Sequence, residues 1–192
     1  LRTTQVAAMT TIQISALSTT QILNMTTLQV RALTATQVKA LSTEAVNTLT
    51  GNQINAMSAT QLSALSTVQV SNLKTEQVAG LGTLQIAALT AAQVSALGTL
   101  NVEQLSAAQI VGLTSAQMAG LTTEEFGLFT TQEVAGLSTT QVTGLTAAAL
   151  NVMDSDHLAV INLAALTNTQ LGGLSTLQVN ALKTEQVAGL RT

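Results

Sequence analysis

The chain lacks several residue types on which many folds and sites depend. Its 192 residues include no cysteine, proline, tryptophan or tyrosine, and two phenylalanines are its entire aromatic content. Without cysteine there are no disulfides, and the redox compartment cannot be inferred. Charged residues make up 8% of the chain, and the formal net charge is −3. Because these charges are spread singly, the sequence predicts no basic surface for nucleic acid or anionic lipid.

Long hydrophobic runs are also missing, although 46% of the residues are hydrophobic. Thr, Ser or Gln returns every few positions, so no stretch approaches the roughly 18 apolar residues of a membrane span. No signal peptide is recognisable, and the chain begins with Leu1. We interpret it as an excerpt of a longer protein, and we expect a core of Leu, Val, Ile and Ala with few large rings.

What the chain does contain is an eight-residue repeat. Arg2 to Met153 reads as nineteen consecutive octads, of which TTIQISAL and STVQVSNL are typical, and three more octads end at Leu190. Between the two tracts lies the segment DSDHLAVINLAAL. A fixed short period predicts a solenoid whose units mainly contact their neighbours. We therefore divide the chain into an octad solenoid over 1–153, an irregular unit with a longer helix over 154–166, and a continuation of the same rod over 167–192.

Each octad carries the signals that begin a helix. Position 5 is always apolar, position 8 is usually Leu, position 4 is usually Gln and position 1 is usually Ser or Thr. Ser or Thr followed three residues later by Gln is a capping box, and position 8 of one octad with position 5 of the next forms a hydrophobic staple. These signals predict one short helix per octad. Where position 1 lacks Ser, Thr or Asp, position 2 is Thr, which we expect to supply the cap: Thr3, Thr75, Thr83, Thr99 and Thr184.

Position 7 carries a slower rhythm. It is Ala or Gly in most octads, and larger residues recur every three or four octads, at Asn24, Thr48, Asn72, Gln104, Leu128 and Val152. This rhythm predicts an all-α solenoid, a superhelix of very short helices with slightly more than three repeats per turn. At the usual helix–helix distance it would be a three-sided rod on the order of 60–70 Å long. Small residues at position 7 would let two sides pack closely, and the third side would carry the larger groups. A three-sided β-solenoid is the alternative, since Val and Thr suit strands.

The single histidine, His157, lies in the motif Asp-Ser-Asp-His. As a functional group it could belong to a weak cation site. We favour a structural interpretation, in which Asp154 is a helix N-cap, Asp156 interacts with the positive helix N-terminus, and His157 takes the place of the usual Gln.

The remaining candidates for chemistry are few. Glu124, Glu125 and Glu133 form the densest acidic group, and paired carboxylates can perform acid–base catalysis. All three fall in helix first turns, where acidic residues are favourable without any catalytic role. Phe126 and Phe129 are interpreted as core residues. The alternative is that they protrude from the variable side and contact a partner. We predict no catalytic, cofactor-binding or metal-binding residues, no cofactor and no enzyme activity.

The repeat resembles a known kind of sequence. Tracts of the form L-[ST]-T-x-Q-[VI]-x-[AG]-L, covering residues 1–153 and 167–190, are similar to the octad tandem repeats of giant bacterial surface or secreted adhesion-like proteins. Some of those proteins carry the label of haem utilisation or adhesion. The resemblance implies a location outside the cell or at its surface, and His157 alone offers poor support for a haem site.

Two classes of function follow from this pattern. The first is structural, namely an extracellular filament subunit, stalk or spacer that assembles head-to-tail with copies of itself or continues within a longer chain. The second is an adhesin-like binding module whose variable side, around Asn72, Gln104 and Leu128, contacts a surface or a glycan. A more distant alternative is a threonine array that orders water or binds ice. We expect neither a nucleic-acid partner nor a membrane span.

Overall fold

The computed structural model describes residues 1–190, over which the chain forms twenty-three α-helices, one 3₁₀-helix and no strand. The all-helical prediction is confirmed, and the β-solenoid alternative is wrong. Arg191 and Thr192, which end the predicted segment 167–192, lie outside the described residues.

The helices follow one another with short connections. They are α1 (Thr3–Ala7), α2 (Thr11–Ser15), α3 (Thr19–Leu23), α4 (Thr27–Arg31), α5 (Ala35–Ala40), α6 (Thr43–Thr48), α7 (Gly51–Asn55), α8 (Ala59–Ser63), α9 (Thr67–Ser71), α10 (Thr75–Ala79), α11 (Thr83–Ala88), α12 (Ala91–Ser95), α13 (Gly98–Glu103), α14 (Ala107–Val111), α15 (Ser115–Gly120), α16 (Thr123–Phe126), α17 (Thr131–Ala135), α18 (Thr139–Gly144), α19 (Ala147–Asn151), α20 (Ser155–Val160), the 3₁₀-helix Leu163–Ala165, α21 (Asn168–Gly172), α22 (Thr176–Ala181) and α23 (Thr184–Gly189).

The predicted capping box begins most of these helices. In α2, the Thr10 hydroxyl accepts from the Gln13 amide at 3.2 Å, and Gln13 Oε1 accepts from the Thr10 amide at 2.8 Å. The same pair of bonds recurs wherever Ser or Thr precedes Gln by three residues. It leaves two fewer helix-end amides without a partner, which matters because a helix of about six residues is unstable alone.

Octads without a hydroxyl at position 1 use a different arrangement from the predicted one. The N-caps of α1, α10, α11 and α23 are Arg2, Lys74, Gly82 and Lys183, and none caps through its side chain. The following Thr is the first helical residue and does not take over as cap, so this prediction is wrong. Instead, the amide of the residue at position 4 bonds to the carbonyl of position 1, as in Gln85 to Gly82 at 3.0 Å. The Gln side chain still closes its half of the box.

The helices stack in three columns, because each one packs against the helix three units further along the chain. Side 1 comprises α1, α4, α7, α10, α13, α16, α19 and α21, and side 2 comprises α2, α5, α8, α11, α14, α17, α20 and α22. Side 3 comprises α3, α6, α9, α12, α15, α18, the 3₁₀-helix and α23. The twenty-four units therefore form eight turns of a three-sided solenoid. Positions 5 and 8 of successive octads point inward and build one continuous apolar core.

The segment 154–166 does not contain the longer helix that was predicted. It consists of a regular octad, whose helix α20 has six residues, followed by a five-residue unit that contains the 3₁₀-helix. The five-residue unit fills one place in the column of side 3, between α18 and α23. It works as a complete unit because Leu163 and Ala165 are buried as core residues, so the rod continues without losing register. The proposed division into 1–153, 154–166 and 167–192 stays a prediction.

Small residues at position 7 allow the close stacking that was predicted. In α15, an added Cβ on Gly120 would lie 2.9 Å from the carbonyl oxygen of Ala91 in α12, one turn below. In α18, a Cβ on Gly144 would overlap the backbone of Ser115 in α15. Position 7 of one helix therefore lies directly against position 2 of the helix beneath it.

The larger position-7 residues do not share a single side. Asn24, Thr48 and Asn72 end helices of side 3, whereas Gln104, Leu128 and Val152 follow helices of side 1. Asn72 and Gln104 are four octads apart, but the helices continue to stack with three units per turn. The fourth octad therefore places Gln104 on a different side from Asn72. The prediction of one variable side is therefore wrong.

Candidate functional site

The most regular feature of the molecule is a ladder of Gln side chains at position 4. While Oε1 completes the capping box, Nε2 donates to carbonyl groups one turn below, 28 to 31 residues earlier in the chain. Gln61, for example, donates to the carbonyls of Val30 at 2.9 Å and Leu33 at 2.6 Å. Gln117 donates to those of Ile86 at 2.7 Å and Leu89 at 2.6 Å. Each such Gln thus ties the beginning of one helix to the end of a helix in the turn below.

The ladder extends from the first described turn to the last. Gln29 donates to the carbonyl of Leu1, and Gln186 donates to that of Leu158. Where the five-residue unit lies between donor and acceptor, the two are three residues closer in sequence. Gln170 therefore donates to the carbonyls of Val142 and Leu145, which are 28 and 25 residues earlier. The capping-box half of this role was predicted from the sequence. The inter-turn half was missed because it depends on the stacking register, which a single octad does not reveal.

Some position-4 residues cannot donate, and they interrupt the ladder. Ala45 and Ala149 have no polar side chain, and both are buried. Glu125 and Glu133 keep the capping-box half, accepting from the amides of Thr122 and Thr130 at 2.8 and 2.7 Å. Glu125 is 2% exposed. The two carboxylates lie at the beginnings of consecutive helices on different sides, and Glu124 is exposed. The structure therefore separates the acidic residues that the sequence placed in one cluster.

One corner of the rod departs from the repeat. Leu97 has ψ −34° where other position-8 residues lie near 140°, and Gly98 follows with φ +76°, a conformation that glycine adopts without strain. The peptide between them is turned over, and the Leu97 carbonyl accepts from Asn101 Nδ2 at 3.0 Å. In most other octads the carbonyl of position 8 accepts from the Gln side chain 28 residues further along the chain. For Leu97 the residue at that place is Glu125. A carboxylate cannot donate, so the turned peptide gives the Leu97 carbonyl a partner within its own corner.

His157 occupies the Gln position of α20, as the sequence predicted. Its Nε2 lies 2.8 Å from the carbonyl oxygen of Phe129, which is the inter-turn acceptor for that position. Its Nδ1 lies 2.8 Å from Asp154 Oδ1, although the two atoms are not aligned as a hydrogen bond. Asp154 is the N-cap and accepts from the amides of Asp156 and His157. Donation by the His157 amide is the main cause that lowers the pKa of the Asp154 carboxyl below its ordinary value of 3.8.

The two phenylalanines are core residues. Phe126 and Phe129 are 2% and 3% exposed, and their ring centroids lie 5.1 Å apart with a 45° tilt. Leu128, between them in sequence, is 36% exposed. Exposed apolar side chains also occur in two other units of the side 1 column: Leu100 in α13 is 73% exposed, and Val152, which directly follows α19, is 44% exposed.

The first and last described turns differ from the interior. In the first turn, the Gln5, Gln13 and Gln21 side chains accept capping bonds, but their Nε2 groups have no inter-turn acceptor among the described residues. Half-buried Met9, Leu17 and Met25 border an apolar depression of about 270 Å³ there. In the last turn, Val179 and Val187 are 49% and 52% exposed, whereas position-5 side chains from Val6 to Leu158 are at most 2% exposed.

Within residues 1–190, no group of His, Asp and Glu side chains is arranged to hold a metal ion. The same residues include no helix with the length and apolar character needed to cross a membrane.

The fold and the ladder define the chain as an α-helical tandem-repeat solenoid, a structural repeat protein. A family model described as the ALTTAQ repeat matches residues 52–83, 72–99 and 162–192. These segments are similar to that repeat family, and they include octads on both sides of the segment 154–166. No curated protein matches the chain.

Proposed function

We propose that the chain serves as a rigid rod, acting as an extracellular stalk, spacer or filament subunit. The observation that carries this proposal is the ladder, which joins successive turns by side-chain hydrogen bonds between Leu1 and Gln186 in spite of its four interruptions. Because every helix contacts its neighbours three units away, the length of the rod grows with the number of turns. The resemblance to surface-protein repeat tracts supports the extracellular location.

Rigidity can be measured directly, because the absence of cysteine allows clean site-specific labelling. We would introduce Thr3→Cys and Thr176→Cys, attach spin labels and measure the distance distribution between them. A rod with a helix–helix spacing of about 8–10 Å per turn predicts one narrow peak at about 55–70 Å. A broad distribution, or a mean below about 40 Å, would contradict the spacer function. A pair within two adjacent turns, Thr3→Cys with Thr27→Cys, serves as the control for label mobility.

The extracellular location needs its own test. Antibody binding and protease accessibility on intact source cells would detect the repeat at the surface. Signal that appears only after the cells are lysed would count against an extracellular rod.

A binding module is the second candidate, and the exposed apolar side chains of Leu100, Leu128 and Val152 favour it. Isolated exposed apolar residues are common, but these three belong to successive units of the same column, side 1. Replacing all three by Ser should abolish adhesion to a surface or glycan and leave the distance distribution of the rod unchanged. Adhesion that survives this replacement would exclude these side chains as the contact surface. The water-ordering alternative has no comparable support, because the position-1 hydroxyls are engaged as helix caps.

A further inference from the structure

We propose that the corner of the rod at Gly98 binds a neutral saccharide, whose hydroxyl groups pair with the Gly98 amide and with Asn101 Oδ1. This inference rests on the second candidate function, the binding module, and names its ligand class and its contact residues. The site is called here the Gly98 corner. It is the groove between residues 97–101 of α12 and α13 and residues 71–76 of α9 and α10, one turn below.

The capping box of this octad is open. In other octads the amide of position 1 donates to the side-chain oxygen of position 4, as Gly82 donates to Gln85 Oε1 at 2.9 Å. Gly98 and Asn101 hold the same two positions, but within residues 1–190 the Gly98 amide donates to no acceptor, and Asn101 Oδ1 is buried without a partner. Asn101 is 5% exposed. An unpaired buried amide oxygen destabilises a fold, so this atom marks a place for an external donor.

The local geometry holds the unpaired groups in place. Asn101 Nδ2 donates to the carbonyls of Leu73 at 3.1 Å and Leu97 at 3.0 Å, which uses both of its hydrogens and leaves Oδ1 as the free acceptor. The carbonyl and the N–H of a trans peptide point in opposite directions. Because the Leu97 carbonyl faces Asn101, the Gly98 N–H faces away from that side chain. Two neighbouring hydroxyls of one sugar ring, one accepting and one donating, would satisfy both groups.

The groove has the size and the walls that a sugar requires. Its volume is about 500 Å³, whereas one water needs only about 10–15 Å³ and small-molecule sites occupy about 300–1,000 Å³. A pyranose carries hydroxyls around its edge and C–H groups on its faces. The groove offers both kinds of contact, with hydroxyls at Ser71, Thr75 and Thr99 and apolar side chains at Leu73, Leu97 and Leu100. Leu100 is 73% exposed, so its side chain is accessible to the face of a ring.

The charges of the groove favour a neutral ligand. Lys74 and Glu76 both line it, and their opposite charges cancel. An anion would meet the Glu76 carboxylate and a cation the Lys74 ammonium, whereas hydroxyl groups can accept from the one and donate to the other. An extended peptide is usually recognised along the edge of a β-strand, and this groove lies between helices.

The test follows the Gly98 amide by NMR. The chain has twelve glycines, so labelling with ¹⁵N-glycine gives few signals, and Gly98→Ser identifies the one from Gly98. The probes are the methyl glycosides of glucose, galactose, mannose and N-acetylglucosamine, each added to about 100 mM. We expect at least one probe to shift the Gly98 signal with half-saturation at about 1–10 mM, because a ligand this small makes few contacts. The signals of Gly144 and Gly172, which lie outside the groove, should not move.

One variant closes the open box. Asn101→Gln restores the residue found at position 4 of most octads, and its longer side chain can accept from the Gly98 amide. The half-saturation concentration should rise at least about tenfold. Asn151→Gln makes the same change at an exposed residue two turns away on side 1 and should leave binding unchanged. Far-ultraviolet circular dichroism confirms folding, and if Asn101→Gln is unfolded, Gly98→Ser with Asn101→Gln rebuilds the complete repeat and replaces it.

Several outcomes would overturn the proposal. A Gly98 signal that responds to none of the four probes would do so, as would equal binding by Asn101→Gln and the parent chain. Binding that weakens tenfold between 50 and 500 mM NaCl would indicate a charged ligand and would overturn it as well. The binding-module function is judged separately, because adhesion that depends on Leu128 and Val152 would preserve it even if no probe reached the Gly98 corner.

Discussion

At the scale of single residues, Gln at position 4 contributes both to the beginning of its own helix and to the contact with the turn below. A Gln side chain has one acceptor and two donor hydrogens, so it can close a capping box and bond to the turn below at once. Glu can perform the first task and Ala neither, which accounts for the interruptions at Ala45, Glu125, Glu133 and Ala149. His157 shows that a ring N–H can perform the second task when Asp154 takes over the cap.

The two halves of the Gln role can be separated by substitution. Gln117→Glu keeps the acceptor for the Thr114 amide, but it places a buried carboxylate opposite the carbonyls of Ile86 and Leu89. We expect the free energy of unfolding to fall by about 2–3 kcal/mol, measured by urea denaturation. Gln13→Glu is the matched control in the first turn and should cost less than about 0.5 kcal/mol. Equal losses in the two variants would mean that the inter-turn bonds contribute nothing to stability.

The N-cap of α20 predicts a pH dependence in acid. The pKa of Asp154 is lowered mainly because the His157 amide donates to the carboxylate. The ionised form therefore stabilises α20 at pH values above the ordinary pKa of 3.8, and this stabilisation is lost as the pH falls below that value toward the lowered pKa. Asp154→Ser retains a cap of the kind used in other octads and removes the titrating group. Thermal midpoints between about pH 2 and pH 5 should fall more steeply for the parent chain than for the variant, and parallel curves would contradict this account.

At the scale of the element, each helix is too short to exist without its neighbours. Caps reduce the cost of starting a helix every eight residues, and stacking stabilises the four to six residues that follow. The stacking distance is set at position 7, where Gly and Ala allow a helix to lie directly on the backbone of the helix below. The larger residues at this position lie on side 3 in the first half of the rod and on side 1 in the second.

Close stacking can be tested by adding one methyl group. In Gly144→Ala the new Cβ would overlap the backbone of Ser115, so α15 and α18 must separate. We expect a loss of about 1–3 kcal/mol in the free energy of unfolding. Gly172→Ala is the control, since nothing lies within 4 Å of its added Cβ and Ala favours helix by about 0.5–1 kcal/mol. A Gly144→Ala protein as stable as the Gly172→Ala protein would show that the helices do not approach as closely as described.

Much of this element structure could be predicted from the sequence, because the signals are local. Ser or Thr with Gln three residues later fixes the helix starts, and the apolar positions 5 and 8 fix the face that is buried. The role of the segment 154–166 could not be predicted in this way. The sequence predicted that its five extra residues lengthen a helix. In the structure they form a separate unit that begins at Asn162, and this is recognised only from its place between α18 and α23 in the column of side 3. The side of each position-7 residue was misjudged for the same reason, since it depends on an unbroken three-unit register.

At the scale of the whole molecule, the length of the solenoid is set by the number of its turns. Each turn adds three helices, one layer of core and up to three Gln bridges, whatever the surface residues are. A single irregular unit, one turned peptide at Gly98 and four missing bridges leave the stacking unchanged. Such tolerance is expected where each unit depends only on its nearest neighbours.

The most direct test of this account is to lengthen the rod by one turn. Duplicating residues 50–73 inserts three octads, and the distance between spin labels at Thr3→Cys and Thr176→Cys should then increase by about 8–10 Å, one helix–helix spacing. The labelled sides should keep their relative orientation, because three units complete a turn. An increase of about 36 Å, the length of 24 residues in one continuous helix, would contradict the stacked solenoid.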